Sequence, residues 1–103
     1  MSLRHAAALA LVGWYLMVPP YEGRISDPAS VVVNDRAAIS KWEISDSFDS
    51  ANDCADQRMR SQSAASKYPD SMLRAPKTSH QLTVARFMFA TCIATDDPRL
   101  KEK

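Results

Sequence analysis

The stretch AAALALVGWYLMVPP, residues 6–20, decides how the rest of the chain is interpreted. It contains no charged side chain and ends on a pair of prolines. As a helix, its part up to Val18 spans about 20 Å, which is short for a bilayer core of ~30 Å but typical of an export signal. Residues 1–20 are therefore predicted to be a signal peptide. Because no small-x-small cleavage motif directly follows Val18, an uncleaved membrane anchor over residues 3–20 is an alternative, and a buried helix of a cytosolic domain is a third.

The composition of the chain limits the class of partner. A chain of 103 residues allows one small domain, and its net charge is +1. Since Arg4 is the only charged side chain in residues 1–20, the remainder carries 12 basic and 12 acidic side chains. This balance argues against a nucleic-acid partner, which requires a clear basic excess. A local excess of basic side chains in residues 55–90 suits either an anionic membrane surface or a solvated face.

Two cysteines, Cys54 and Cys92, are the only ones in the chain. In an exported protein they are predicted to form a disulfide bond, because oxidising compartments preserve such bonds. The bond closes a loop of about 40 residues, and the chain-entropy model assigns about 4 kcal/mol to that closure. Two reduced, buried thiols are expected if the protein stays in the cytosol, and a bond between two chains is the remaining alternative.

The patterns along the chain predict a small single-domain α+β fold. Alternation of apolar and polar residues over 41–48 indicates a strand with Trp42, Ile44 and Phe48 on its inner face. A helix capped near Ser50 runs to about Lys67. Its predicted inner face consists of Ala51, Cys54, Ala55, Met59 and Ala65. After a loop, residues 81–95 fit both a helical face and alternation, so the prediction is a helix through Phe89 and then a short strand. The predicted division is a signal peptide or membrane anchor (1–20), a flexible tether (21–40), the α+β domain (41–98) and a charged tail (99–103).

Three blocks of the sequence resemble a group of short, uncharacterised exported bacterial proteins. The blocks are GWYLMVPP at 13–20, SKWEISDSFDSANDC at 40–54 and CIATDDPRLK at 92–101. Members of the group pair an apolar N-terminus with an aromatic-rich block that ends in a cysteine and a closing block that begins with one. The resemblance covers about a third of the chain. It implies export and the two-cysteine layout, and it implies no activity.

His80 is the only histidine outside the first twenty residues. A small hydrolase would set it beside Asp96 or Asp97, with Ser79 as the nucleophile. The chain has no glycine-flanked serine motif, so we expect instead a solvated loop histidine and an Asp-Asp-Pro turn that pairs with Arg99. No catalytic residue, metal ligand or cofactor is predicted, and the hydrolase is the least favoured of the functions considered.

Four large aromatic side chains of the predicted domain are candidates for an interaction surface. They are Trp42, Phe48, Phe87 and Phe89, and a role in the core is the competing interpretation. We expect a periplasmic or secreted envelope protein that acts as a non-enzymatic binding or structural module, with one disulfide. The alternative is an accessory subunit, anchored to the inner membrane, that packs its aromatic face on a larger partner. The expected partner is accordingly another envelope protein or a membrane surface.

Overall fold

The structure, a computed structural model, describes residues 12–24 and 26–101, without the side chains of Pro28 and Ala29. Its strands and α-helices are β1 Trp14–Val18, β2 Tyr21–Arg24, β3 Asp27–Val33, β4 Glu43–Phe48, α1 Ala51–Ala65, α2 Asp70–Arg74, α3 Ser79–Phe87 and β5 Thr91–Ala94. Two 3-10 helices, Ile39–Lys41 and Pro98–Lys101, follow β3 and β5. Helices and antiparallel strands in this proportion confirm the predicted α+β class.

β1 is the middle strand of a three-stranded antiparallel sheet with the order β4-β1-β5. Trp14 lies opposite Phe48 of β4 and Ala94 of β5. Leu16 and Met17 are 1% and 2% exposed, and because successive side chains of a strand point to opposite faces, β1 is buried on both sides. An uninterrupted apolar run is typical of such a strand, since each of its faces is covered by the rest of the domain.

The position of β1 differs from the predicted signal or anchor helix. The sequence predicts a helix over the whole apolar run, whereas Trp14–Val18 is a strand at the centre of the sheet. The helix prediction is wrong there because a short apolar run without a polar stripe fits a buried strand as well as a helix. The remainder of the predicted leader, residues 1–11, lies outside the described residues. The folded domain therefore begins well before residue 41.

A β-hairpin stands where the sequence predicts a flexible tether over 21–40. β2 and β3 pair with each other and form a separate two-stranded sheet. Gly23 has a φ of 91°, and a Cβ atom there would collide with the backbone of the opposite strand, so glycine is required at this position. The Asn34 N–H donates to the Pro20 carbonyl oxygen at 2.8 Å and closes the open end of the hairpin.

The start of α1 is as predicted, but its predicted inner face is only partly right. The Ser50 hydroxyl accepts a hydrogen bond from the Asp53 N–H at 3.1 Å and caps the helix. Cys54 and Ala65 are each 0% exposed, and their separation of about three turns puts them on the same side of the helix. Met59, predicted to face inward, is 64% exposed because it lies well off the line that joins these two residues.

From β4 onward the chain follows the prediction closely, with two differences. α3 and β5 have the predicted helix-then-strand order, and the Thr78 hydroxyl caps α3 by accepting from the Gln81 N–H at 3.1 Å. The short helix α2 occupies part of the predicted loop. In β4, the pairing register with β1 shifts at a bulge, and Ile44, predicted to face inward, is 54% exposed.

Deletion of residues 1–20 is expected to abolish the fold, because it removes β1 and leaves β4 and β5 without the strand that joins them. Deletion of residues 1–11 keeps every described strand and should preserve cooperative unfolding. Far-ultraviolet circular dichroism and thermal unfolding of both truncated chains beside the full chain, all produced under oxidising conditions, measure the difference. Cooperative unfolding of the chain that lacks residues 1–20, at the midpoint of the full chain, would contradict the central position of β1.

Candidate functional site

A disulfide bond joins Cys54 to Cys92 in the core, which confirms the predicted pairing. Cys54 lies in the first turn of α1 and Cys92 in β5, with Cα atoms 6.1 Å apart. Leu16 of β1 lies opposite Cys92 in the sheet, and it belongs to the same buried cluster as Cys54, Val18 and Ala90. The bond thus fixes α1 covalently to the sheet at the centre of the apolar core.

A hydrogen-bonded side chain provides a second connection between α1 and the approach to β5. The Gln62 amide nitrogen donates to the carbonyl oxygens of Met88 and Ala90, both at 3.2 Å. These carbonyls lie in the turn that links α3 to β5, so Gln62 satisfies backbone groups that the turn leaves without a helical partner. Together with the disulfide, it holds α1 at two points along its length.

The four aromatic side chains proposed as an interaction surface are divided among different environments. Phe48 and Phe87 pack, half-buried, against the core cluster. Trp42 is half-buried, and its Nε1–H donates to the Ala37 carbonyl oxygen at 2.9 Å. Phe89 is 42% exposed. The core therefore accounts for Phe48 and Phe87, while Phe89 is the member of this set that is most accessible to a partner.

His80 lies beside a cavity of about 270 Å³ between α1 and α3. Its Nε2 is 3.3 Å from the Tyr68 hydroxyl, and the two rings meet edge to face with centroids 6.4 Å apart. Asp97, one of the two carboxylates considered as its catalytic partner, instead accepts hydrogen bonds from the Arg99 guanidinium and backbone N–H. These bonds hold the pKa of Asp97 below its ordinary value. His80 is thus paired with a tyrosine, and the predicted Asp-Asp-Pro turn pairs with Arg99.

Within residues 12–24 and 26–101, no three or more His, Cys, Asp or Glu side chains are grouped so that they could hold a metal ion. Over the same residues, each helix is too short or too polar to span a bilayer.

An apolar groove of about 310 Å³ lies between the hairpin, α2 and the end of α3. This hairpin groove is lined by Val32, Val33, Asp70, Leu73, Arg74, Met88 and Phe89. Val32 and Phe89 are 53% and 42% exposed, so large apolar side chains face solvent here. Arg74 and Asp70 form an exposed ion pair at 3.3 Å, which makes that part of the lining electrically neutral. The groove was missed from the sequence because its walls come from segments far apart in the chain.

A smaller cavity of about 170 Å³ lies beside Arg86, between β4 and α3. The Arg86 side chain is 13% exposed, and its Nε–H donates to the Pro19 carbonyl oxygen at 2.7 Å. Its guanidinium carbon lies 5.4 Å from the centroid of the Tyr21 ring, a cation–π distance. Nη2 is 3.1 Å from a Glu43 carboxylate oxygen, an ion pair in which Nη2 makes no hydrogen bond. Arg86 therefore joins α3 to the hairpin and to β4.

The chain was compared with protein-family models, with curated proteins and with solved structures, and none of them matches it. Its function is therefore inferred from the contacts and cavities of its own described residues.

Replacement of both cysteines, Cys54→Ala together with Cys92→Ala, is expected to lower the free energy of unfolding by about 2–5 kcal/mol, since the unfolded chain regains the freedom that the bond removes. Urea unfolding followed by circular dichroism measures the change. Met59→Ala, at an exposed position of the same helix, is the control and should have little effect. A double variant that unfolds at the same urea concentration as the oxidised protein would show that the bond is dispensable.

Proposed function

We propose that this protein is an exported, non-enzymatic binding module that works in an oxidising compartment, either the periplasm or the extracellular medium. The observation that carries the proposal is the Cys54–Cys92 bond at the centre of the core. Disulfides persist in such compartments and are rare in the reducing cytosol. The resemblance of three sequence blocks to short exported bacterial proteins supports the same location.

The position of β1 constrains how export is compatible with folding. Cleavage in the region after Val18 would remove the middle strand of the sheet and with it Leu16, a residue of the core cluster. Any processing of the N-terminus must therefore leave the chain intact from about Val12 onward. Gly13 already belongs to the fold, because its backbone N–H donates to the Thr95 hydroxyl and its carbonyl accepts from the Thr95 N–H.

The hairpin groove is the surface that we assign to the partner. Val32 and Phe89 expose large apolar areas at its walls, and Leu73 and Met88 are half-buried between them. Apolar side chains clustered around a concave surface favour contact with an apolar segment of another protein. The Asp70–Arg74 ion pair adds no net charge, so the partner segment needs no strong charge of its own.

The second candidate function is an accessory subunit retained at the inner membrane. The need to keep β1 favours this candidate. A chain that is not cleaved after Val18 retains more apolar residues at its N-terminus than a cleaved chain would. An anchor over the whole of residues 3–20 would require β1 to leave the sheet. The accessory subunit would therefore contact the membrane through residues before Val12 and through the excess of basic side chains over 55–90.

Intact-mass and peptide mapping of the native protein test the location. We expect a Cys54–Cys92 linked peptide and an N-terminus at or before Val12, in material treated with acid and an alkylating reagent at lysis to prevent later oxidation. A soluble envelope fraction would support the exported module, and a membrane fraction with an uncut N-terminus would support the accessory subunit. Two alkylated thiols in native material, or an N-terminus at Tyr21 or beyond, would refute both.

Photo-crosslinking in cells tests the hairpin groove. A photoreactive phenylalanine analogue at position 89 is expected to give a discrete crosslinked product, because Phe89 faces the groove. The matched control is the same analogue at position 59, where Met59 is more exposed than Phe89 and lies on α1. The product should decrease when Val32→Ser is added. Equal crosslinking from both positions, or none from position 89, would exclude the groove as the partner surface.

A further inference from the structure

We propose that the cavity beside Arg86 is a binding site for the carboxylate of a small apolar acid, which takes the place of Glu43 against the guanidinium. The site lies between β4 and α3, apart from the hairpin groove, and the proposal does not depend on the partner-binding function. Three features of the structure support it: a fixed and largely buried arginine, a carboxylate of the chain itself held loosely against that arginine, and an apolar cavity directly beside them.

The Arg86 guanidinium is held in place before any ligand arrives. Its Nε–H is used by the Pro19 carbonyl oxygen at 2.7 Å, and the Tyr21 ring lies against it. Nη2 has almost no surface exposed to solvent and makes no hydrogen bond. Its 3.1 Å approach to the Glu43 carboxylate is an ion pair without hydrogen-bond geometry. A buried donor left in that state is unfavourable, and the planar guanidinium fork is suited to binding both oxygens of one carboxylate. The geometry therefore leaves binding capacity unused at this group.

Glu43 acts as a tethered and replaceable carboxylate. Its oxygen is 3.1 Å from Nη2, but its side chain is 63% exposed, whereas that of Arg86 is 13% exposed. An ion pair with one well-exposed partner contributes little, because water competes for the exposed carboxylate. When Glu43 rotates into solvent its carboxylate is hydrated, and the ligand carboxylate then supplies the counter-ion that the largely buried Arg86 guanidinium needs. A ligand carboxylate that forms two hydrogen bonds to the guanidinium would therefore gain more than the protein loses.

The cavity defines the rest of the ligand. Val18, Ile44 and Phe87 supply its apolar walls, and Ser45 and Thr83 belong to the same lining. A volume of about 170 Å³ holds roughly five or six non-hydrogen atoms, if each occupies about the 30 Å³ of a water molecule in the liquid. This favours a short branched or cyclic apolar body with one carboxylate and disfavours a long acyl chain.

The neighbouring strand edge does not favour a ligand that adds as an extended strand. β4 is at the edge of its sheet, but its pairing is interrupted by a bulge, and the Asp46 carboxylate accepts from the Ser47 N–H at 2.8 Å. Bulges and acidic side chains at an edge oppose strand addition. The carboxylate can belong to a free short-chain acid or to the C-terminus of a peptide, since both present the same group on an apolar body.

Titration calorimetry with the oxidised full chain tests the site. Isovalerate is expected to bind and isovaleramide is not, because only the acid presents a carboxylate. The tripeptide Ala-Ala-Val with a free C-terminus, against the same peptide amidated, distinguishes a C-terminal ligand from a free acid. Glu43→Gln should tighten isovalerate binding by about threefold, because it removes the competing charge.

Arg86→Lys keeps a positive charge and a donor for the Pro19 carbonyl but loses the fork, so isovalerate binding should weaken by about tenfold or more. Arg60→Gln, which removes an exposed guanidinium on α1 that lines neither the cavity nor the hairpin groove, is the matched control and should bind as the unchanged protein does. Circular dichroism of each variant establishes that it is folded. Three results would overturn the proposal. They are equal binding of isovalerate and isovaleramide, weaker binding of isovalerate by Glu43→Gln than by the unchanged protein, and failure of both of these proteins to bind isovalerate.

Discussion

The packing of Leu16 of β1 against the Cys54–Cys92 bond is the interaction on which the rest of the structure depends. β1 joins the two outer strands of the sheet, and the bond fixes α1 above it. Among the residues that the structure describes, the buried apolar set of ten includes three alanines and a cysteine, and these four small side chains each bury only a modest apolar area. A core this thin gains more from a covalent bond than a core of large aliphatic side chains would, because less hydrophobic stabilisation offsets the entropy of the unfolded chain.

Both candidate sites are built around the last turn of α3 and the residues that follow it. Arg86 and Phe87 face the cavity beside β4, while Met88 and Phe89 line the hairpin groove. Gln62 holds the carbonyl of Met88, which fixes the backbone between the two sites to α1. The hairpin in turn contacts α3 through the Tyr21 ring, which lies against the Arg86 guanidinium. The last turn of α3 and the turn that follows it thus position the lining residues of both sites.

Local signals in the sequence predicted the elements that depend on local chemistry. The Ser50 cap, the pairing of the two cysteines and the turn with Arg99 each require only neighbouring residues or the cysteine count, and the structure confirms them. The strand β1 was mistaken because a strand buried on both faces and an export signal have the same apolar composition. The environment of Arg86 could not be predicted, since its contacts come from residues more than forty positions away.

The central position of β1 gives the apolar residues 14–18 a structural role. Residues 14–18 are apolar because both faces of the strand are covered, so their apolarity is explained without a leader. The disulfide is then the structural feature on which the proposal of an oxidising compartment depends. Cys54 and Cys92 would also fill the core as reduced thiols, which behave as small apolar side chains, but they would then leave α1 held to the sheet by packing alone. The core of the described residues contains few large side chains, so the covalent bond between the two cysteines at its centre supplies stability that packing there does not.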